Sequence, residues 1–287
     1  MNYKKLIIEG KSTRFYKKTS VSEKSFKEIE QYLKDKKKLI NDISFELKMF
    51  SKDAIEKLKG IAGYHGKIVE APNYIVLLSE VKDYYIENAG YLGERLILKA
   101  RDLGLGTCWN TFKDSDEVKK ALDISSDKEV VAIIAIGYED TSKNTKKVQA
   151  GKVGENASQN TMGIGEYNTY RLGVEQIVYE DTWGNNATVE LLEQRYLIDA
   201  FSFSRLAPST LNQQPWRFIL DGGKVVLAIK QDDFATEYER KIDTGIALLY
   251  FSLIIDTTMF NLEWHLGEIE NTYNVPDDYK IVGYCNV

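Results

Sequence analysis

Lys11, Ser12 and Arg14 set two cations and a hydroxyl close together in the run Lys11-Ser12-Thr13-Arg14-Phe15-Tyr16. That spacing can grip a phosphate dianion through charge-assisted hydrogen bonds. An exposed basic turn is the other reading of the same residues. Gly10-Lys11-Ser12 also looks like the end of a P-loop, but the first glycine of that motif would have to stand where Lys5 is. A second constellation is Ala207-Pro208-Ser209-Thr210-Leu211-Asn212-Gln213-Gln214-Pro215-Trp216. Its Pro, Ser, Thr and Asn content predicts turned rather than helical backbone. Turned backbone offers amide donors, and Ser209, Thr210 and Asn212 add short polar arms beside the flat, apolar Pro215 and Trp216. A planar ligand with polar edges needs both kinds of surface; a tight turn anchored by a tryptophan needs no ligand at all. The third constellation is Leu103-Gly104-Leu105-Gly106-Thr107-Cys108-Trp109-Asn110-Thr111-Phe112. Its glycines let backbone come close to a ligand, or simply end a helix above a buried Cys and Trp. Acid-base and metal chemistry are poorly supplied. His65 and His265 are the two histidines, far apart, and no metal site and no catalytic acid or base emerges.

The elements that must position these residues read as mixed helix and strand. Ser22 caps a helix in which Phe26, Ile29 and Leu33 recur at helical spacing. Ile43, Phe45, Leu47 and Met49 alternate with polar residues as a half-buried strand or strand-like arm, and Tyr74 to Leu78 is a second candidate strand. Ile86, Ala89, Gly93, Leu96, Ala100 and Leu103 form one helical stripe that Gly104 can stop. Glu129 to Ile136 reads as a strand buried on both faces. A polar stretch from Asp140 to about Tyr167 reads as a linker or mobile loop. Beyond it the pattern predicts a helix from Val189 to Phe203, the Pro-Ser turn, and two short strands around Asp221-Gly222-Gly223. A long apolar helix from about Ile242 to Phe260 and a last strand from Ile281 to Cys285 complete it.

The two halves echo each other. Asn88-Ala89-Gly90 aligns with Asp243-Thr244-Gly245 at an offset of 155 (245 − 90), and Trp109 with Trp264 at the same offset (264 − 109). Pro72 pairs with Pro215 at an offset of 143 (215 − 72). Such repetition suggests a diverged internal duplication, with lobes at 1–163 and 164–287, whose helices could bury each other as in a homodimer; any two α+β lobes also align loosely.

The chain's 287 residues, 43% apolar, suffice for one large domain or two small ones. Its net charge of −5, with both signs interspersed, argues against a nucleic-acid partner. Lys34-Asp35-Lys36-Lys37-Lys38 reads as a solvated helix end. Cys108 and Cys285 stand in no paired motif, which fits a reducing cytoplasm. The charged start does not read as a signal peptide, and the longest apolar run, Val130 to Ile136, is strand-sized and cannot span a membrane.

The Pro-Ser turn resembles the Pro-Ser-x-x-Asn-x-Gln-Pro-Trp segment of the FMN-dependent nitroreductase family. Lys11 to Tyr16 resembles the family's Arg-x-Ser-x-Arg-x-Phe/Tyr opening, with Lys11 in place of the first arginine. A lysine keeps the charge but loses the guanidinium fork. Leu103 to Trp109 resembles the Gly-Leu-Gly-Thr-Cys-Trp loop that runs past the flavin ring, and Gly137-Tyr138 also matches. Arg171 in Arg171-Leu172-Gly173-Val174-Glu175-Gln176-Ile177-Val178 resembles the closing segment that returns a cation to the phosphate; a solvated arginine is the other reading.

The resemblance implies an α+β, nitroreductase-like fold that binds FMN. Lys11, Ser12 and Arg14 would hold the phosphate, Arg14 foremost, and Arg171 would join them. Gly106, Thr107, Cys108, Trp109 and Asn110 would pass the ring, with the amide of Asn110 or Thr111 toward N5. Pro208, Ser209, Thr210 and Asn212 would meet the ring edge. The first lobe has no Pro-Ser turn, and the second has Asn261-Leu262-Glu263-Trp264 where a glycine-rich loop would be. The resemblance therefore implies a dimer fused into one chain, a single-chain pseudo-dimer able to act as a monomer, with one FMN. The activity implied is transfer of hydride from NAD(P)H through the flavin to a small acceptor. A non-catalytic FMN-binding protein and a ligand-free structural descendant are the alternatives.

Overall fold

The computed structural model describes residues 1–144, 170–257, 262–267, 269–270 and 272–287. Most of the expected linker, and the expected lobe boundary at 163/164, lie outside the described residues. The chain forms two compact units. One comprises Gly10–Tyr85 with the described residues of Arg95–Glu166, and Met1. The other comprises Asn2–Glu9, Ile86–Glu94 and the described residues of Tyr167–Val287.

In the first unit, Ser22 accepts from the Ser25 N–H and starts α2 (Glu23–Asp35), which follows the short α1 (Tyr3–Ile8) of the second unit. Ile29 and Leu33 of α2 are fully buried. β1 (Phe45–Ser51), α3 (Ala54–Leu58) and β2 (Asn73–Ser79) follow. The helix α4 (Tyr85–Asp102), whose stretch Ile86–Glu94 belongs to the second unit, ends as Gly104 takes φ +75°, the backbone that glycine tolerates best. β3 (Gly106–Asn110), α5 (Ser115–Ala121), β4 (Glu129–Gly137) and α6 (Thr141–Asn144) complete it. The sheet order is β1-β2-β4-β3, antiparallel throughout. The segment Gly106–Asn110, which Gly104 and Gly106 make look like a loop, is an edge strand of this sheet.

In the second unit, β5 (Val178–Glu180) pairs in parallel with β6 (Trp216–Asp221). The helix expected over Val189 to Phe203 is two helices, α7 (Val189–Gln194) and α8 (Ile198–Ser204). Tyr196, at φ +59°, breaks it, a conformation no helix can continue through. β7 (Lys224–Lys230) returns from β6 across Gly222 and Gly223. α9 (Glu237–Ile255) begins earlier than its apolar run, because Thr236 and Glu239 form a reciprocal capping box. β8 (Trp264–Leu266) and β9 (Tyr279–Asn286) close the sheet, whose order is β5-β6-β7-β9-β8. Phe201, Phe218, Phe251 and Trp264 pack ring to ring beneath it, with centroids 5.2–5.9 Å apart.

Leaving β5 aside, the two sheets repeat one order: β1-β2-β4-β3 against β6-β7-β9-β8. The long helix follows the second strand of each set, and the pairing of second with fourth strand carries a register shift in both. Topology therefore matches β2 to β7 and β1 to β6. This corrects the Pro72–Pro215 landmark: Pro72 precedes the second strand of its set, Pro215 the first of the other. The 155-residue landmark fares differently. Within the second unit a Cβ on Gly90 would strike the Ile242 carbonyl, and a Cβ on Gly245 would strike the Glu87 carbonyl. The two contacts exchange under the offset (87 + 155 = 242; 90 + 155 = 245).

Candidate flavin-binding elements

The first unit assembles two of the three constellations. Residues 12–17 run beside the ends of β3 and β4: Thr13 donates its N–H to the Thr107 carbonyl at 2.8 Å, and Lys17 donates to the Tyr138 carbonyl at 2.8 Å. Glycine is required at 106, since a Cβ there would overlap the buried Thr13 side chain. The Cys108 thiol donates to the Trp109 carbonyl at 3.4 Å, and Ser12 and Arg14 lie near enough to act on it. Burial nevertheless pushes the Cys108 thiol up, with Arg14 and Ser12 opposing. Arg14 is half-buried, while Lys11 is exposed and its ammonium lies 2.7 Å from the Glu139 carboxylate. Lys11 thus has a carboxylate beside it, while Arg14 brings the planar guanidinium fork that suits a phosphate. Gly137 comes against Pro72 and Tyr16, where a Cβ would not fit without displacement.

Within β3 the expected ring-facing residues separate. Thr107, Cys108 and Asn110 are buried and Trp109 is half-buried. The Asn110 side chain is engaged, accepting from the Val69 N–H at 3.0 Å and donating to the Cys108 carbonyl at 3.1 Å. The Thr107 carbonyl faces Thr13, away from β4. Backbone groups alternate along a strand, so Trp109 and Thr111 turn theirs to the same outer edge; the Thr111 carbonyl indeed accepts from Gly63. Of the two amides named above, that of Asn110 turns toward β4 and that of Thr111 toward the outer edge.

The third constellation lies in the second unit. Thr210–Asn212 forms a single 3₁₀-like turn with Leu211 at φ +51°, Asn212 at +57° and Gln214 at +51°. Left-handed backbone at non-glycine residues must be over-determined by its surroundings. Gln214 does much of this. Its N–H donates to the Ser209 hydroxyl, its amide nitrogen donates to the Tyr170 and Asn212 carbonyls, and its amide oxygen accepts from the Leu172 N–H. Asn212 donates to the Tyr170 carbonyl at 3.0 Å. Arg171 is half-buried and donates to the Ala207 carbonyl at 2.7 Å, directly before the half-buried Pro208. Burial raises its acidity. Trp216 is fully buried and Pro215 is buried too, so neither is an open apolar face for a ligand. Thr210 donates its N–H to both oxygens of Asp243, at 3.1 and 3.0 Å.

Sequence reasoning missed Asp243 and Glu139 as parts of these sites, and quoted Gln214 in the Pro-Ser motif without giving it a role. A carboxylate inside the apolar run of α9 was the signal for Asp243.

The family model described as "Putative TM nitroreductase" matches residues 2–255. The chain belongs to this nitroreductase family. Among solved structures it is similar to a "putative nitroreductase" from Thermotoga maritima, at 18% identity and a TM-score of 0.56, covering 100% of this chain and 94% of that one. Their mixed helix and sheet fold is shared. An FMN-dependent nitroreductase from Clostridium difficile R20291 matches at 22% identity, TM-score 0.40, over 52% of this chain and 98% of that one. A "putative NADH oxidase" from Clostridium acetobutylicum matches at 20% identity, TM-score 0.42, over 52% and 99%. No curated protein matches. Family membership points to flavin-dependent oxidoreduction. No helix among the described residues is long and apolar enough to cross a membrane.

Proposed function

We propose that this chain is an FMN-dependent oxidoreductase that passes hydride from NAD(P)H to a small acceptor. The observation that carries the reading is the close seating of the Ser12–Arg14 segment on β3. Thr13 fills the space that Gly106 leaves, and its neighbours Ser12 and Arg14 both act on Cys108 of the same strand. That donor set fits a phosphate dianion, and charge-assisted bonds are the strong ones for it. FMN, when bound, supplies the two-electron chemistry, and the protein supplies binding, orientation and electrostatics. In the first unit, Arg14 and Ser12 would hold a phosphate and the outer edge of β3 would present an amide to a ring; in the second unit, the Pro208–Asn212 turn is the element we propose as a polar edge.

We read the chain as a fused, diverged dimer that works as a monomer. The repeated strand order and the reciprocal glycine contacts support this, because an isologous interface pairs i with j and j with i. Free Cys108 and Cys285 suit a cytoplasmic setting. One experiment tests the whole reading. Apo-protein titrated with FMN, followed by quenching of flavin fluorescence, should reach its endpoint at one FMN per chain. The visible flavin band should then bleach on anaerobic NADH or NADPH. Bleaching that fails would leave a flavin-binding protein without turnover. Absence of binding would leave a structural descendant, and an endpoint of two per chain would refute the divided motifs.

A further inference from the structure

We propose that Asp243 is the positioning residue of the Pro-Ser turn, its carboxyl clamping Thr210 and so fixing the backbone that the flavin meets. The proposal rests on the flavin reading above. Asp243 is 2% exposed, in the middle of α9. Both its oxygens receive the Thr210 N–H, and the Thr210 hydroxyl points to Oδ1 at 3.4 Å. The next two residues, Leu211 and Asn212, are the ones held at positive φ. A carboxylate buried among apolar neighbours is costly unless its partners are in place, so the turn and Asp243 each need the other.

The duplication supplies an internal comparison. The offset of 155 sets Asn88 against Asp243 (243 − 155 = 88), and Asn88 is equally buried. The strand orders make the segment before β1 the counterpart of the turn before β6. That segment, Lys36 to Ser44, contains no Pro-Ser turn. The carboxylate stands in the copy that has a turn to clamp, and an uncharged amide in the copy that does not.

Asp243 also couples the turn to pH. Burial holds its carboxyl well above the usual carboxylate range, the Thr210 amide and hydroxyl partly oppose this, and the like charge of Glu239 on α9 adds to it. On α4, Glu87 has Lys241 and Glu237 as its charged neighbours. A group whose value is raised in the docked state favours that state at low pH, and the advantage fades as pH rises through the raised value.

The test compares wild type, Asp243→Asn and Asp243→Ala by FMN titration across about pH 5 to about pH 8, with exchange of the Thr210 amide measured in parallel. Asn offers an oxygen to the amide and an N–H to the hydroxyl. Asp243→Ala should bind FMN about tenfold more weakly or worse, with faster Thr210 exchange. Asp243→Asn should restore affinity to within about threefold. The ratio of wild-type to Asp243→Asn affinity should fall as pH rises; both proteins share the titration of the FMN phosphate, so it cancels in the ratio. Unchanged Thr210 exchange in Asp243→Ala, or an affinity ratio flat in pH, would overturn the proposal. If wild type binds no FMN while Thr210 exchange still responds to Asp243, the flavin reading fails and the clamp alone stands.

Discussion

Replacing Gly245 by alanine tests the helix pair on which the fused-dimer reading leans. In a helix interior, glycine to alanine ordinarily stabilises by about 0.8–1.0 kcal/mol. Gly245 sits inside α9, so a glycine with room beside it would return that gain. Here the added methyl would meet the Glu87 carbonyl and the Tyr91 backbone nitrogen, both main chain. Neither can rotate away as a side-chain tip would. The approach falls well inside ordinary carbon contact of about 3.5–4.0 Å. Overpacking of this kind costs about 1–3 kcal/mol. With immovable backbone as the obstacle the upper end applies, and about 3 less about 1 leaves a net loss of about 2 kcal/mol. For a domain of this size that lowers the thermal midpoint by about 4–8 °C. Gly90→Ala should behave alike, because its methyl would meet the Ile242 carbonyl. The double variant should lose less than the sum, since one separation of α4 from α9 relieves both overlaps. Thermal unfolding followed by circular dichroism gives all three values. A midpoint raised by either single substitution, the outcome that helix propensity alone dictates, would refute the close packing and its reciprocity.

Two further outcomes concern the proposed flavin. Arg14→Glu replaces an attraction for phosphate by repulsion, and loss of a charged hydrogen bond costs about 1.5–3 kcal/mol, so FMN affinity should fall at least about tenfold; titration showing wild-type affinity would remove Arg14 from the phosphate site. Asn212→Leu deletes the bond to the Tyr170 carbonyl, so the melting temperature should drop slightly and the flavin spectrum or potential should shift. A melting effect with an unaltered flavin would make Asn212 a brace for the loop alone.

What could be read in the sequence was local. Ser22 announced α2 because a cap and its helix lie within a few residues of each other. Gly104 ended α4 for the same reason, as only the backbone nearby decides where a left-handed residue is needed. Gly106–Asn110 could not be read as a strand because its identity comes from pairing with β4, more than twenty residues later. Its glycine serves Thr13 rather than a turn. Tyr196 hid the break between α7 and α8, since nothing in tyrosine's chemistry marks it for positive φ. Pro72 and Pro215 misled because each precedes an apolar run, while strand order alone decides which run matches which. Trp216 looked like a ligand platform, yet its large apolar ring is fully buried.

On the fused-dimer reading, the repeated strand order bears on why the proposed binding motifs would be divided. A symmetric dimer presents every motif twice, so a change that damages one copy damages both sites. A fused chain escapes that coupling, and each half can drift wherever the other half suffices. The matched positions fit such drift. Trp109 in β3 is half-buried, whereas Trp264 in β8 is sunk into the aromatic core with its N–H on the Ser252 hydroxyl at 3.0 Å. Asp243 clamps a turn, whereas Asn88 stands where no such turn follows. Thr13 seats on a glycine at 106, whereas the residues leading into β8 include Leu262 and Glu263. Packing positions behave in the opposite way: Gly90 and Gly245 are both glycine, because a methyl on either would push the same two helices apart. On the proposed layout the helix pair must satisfy both halves at once, while a flavin needs each binding element only once.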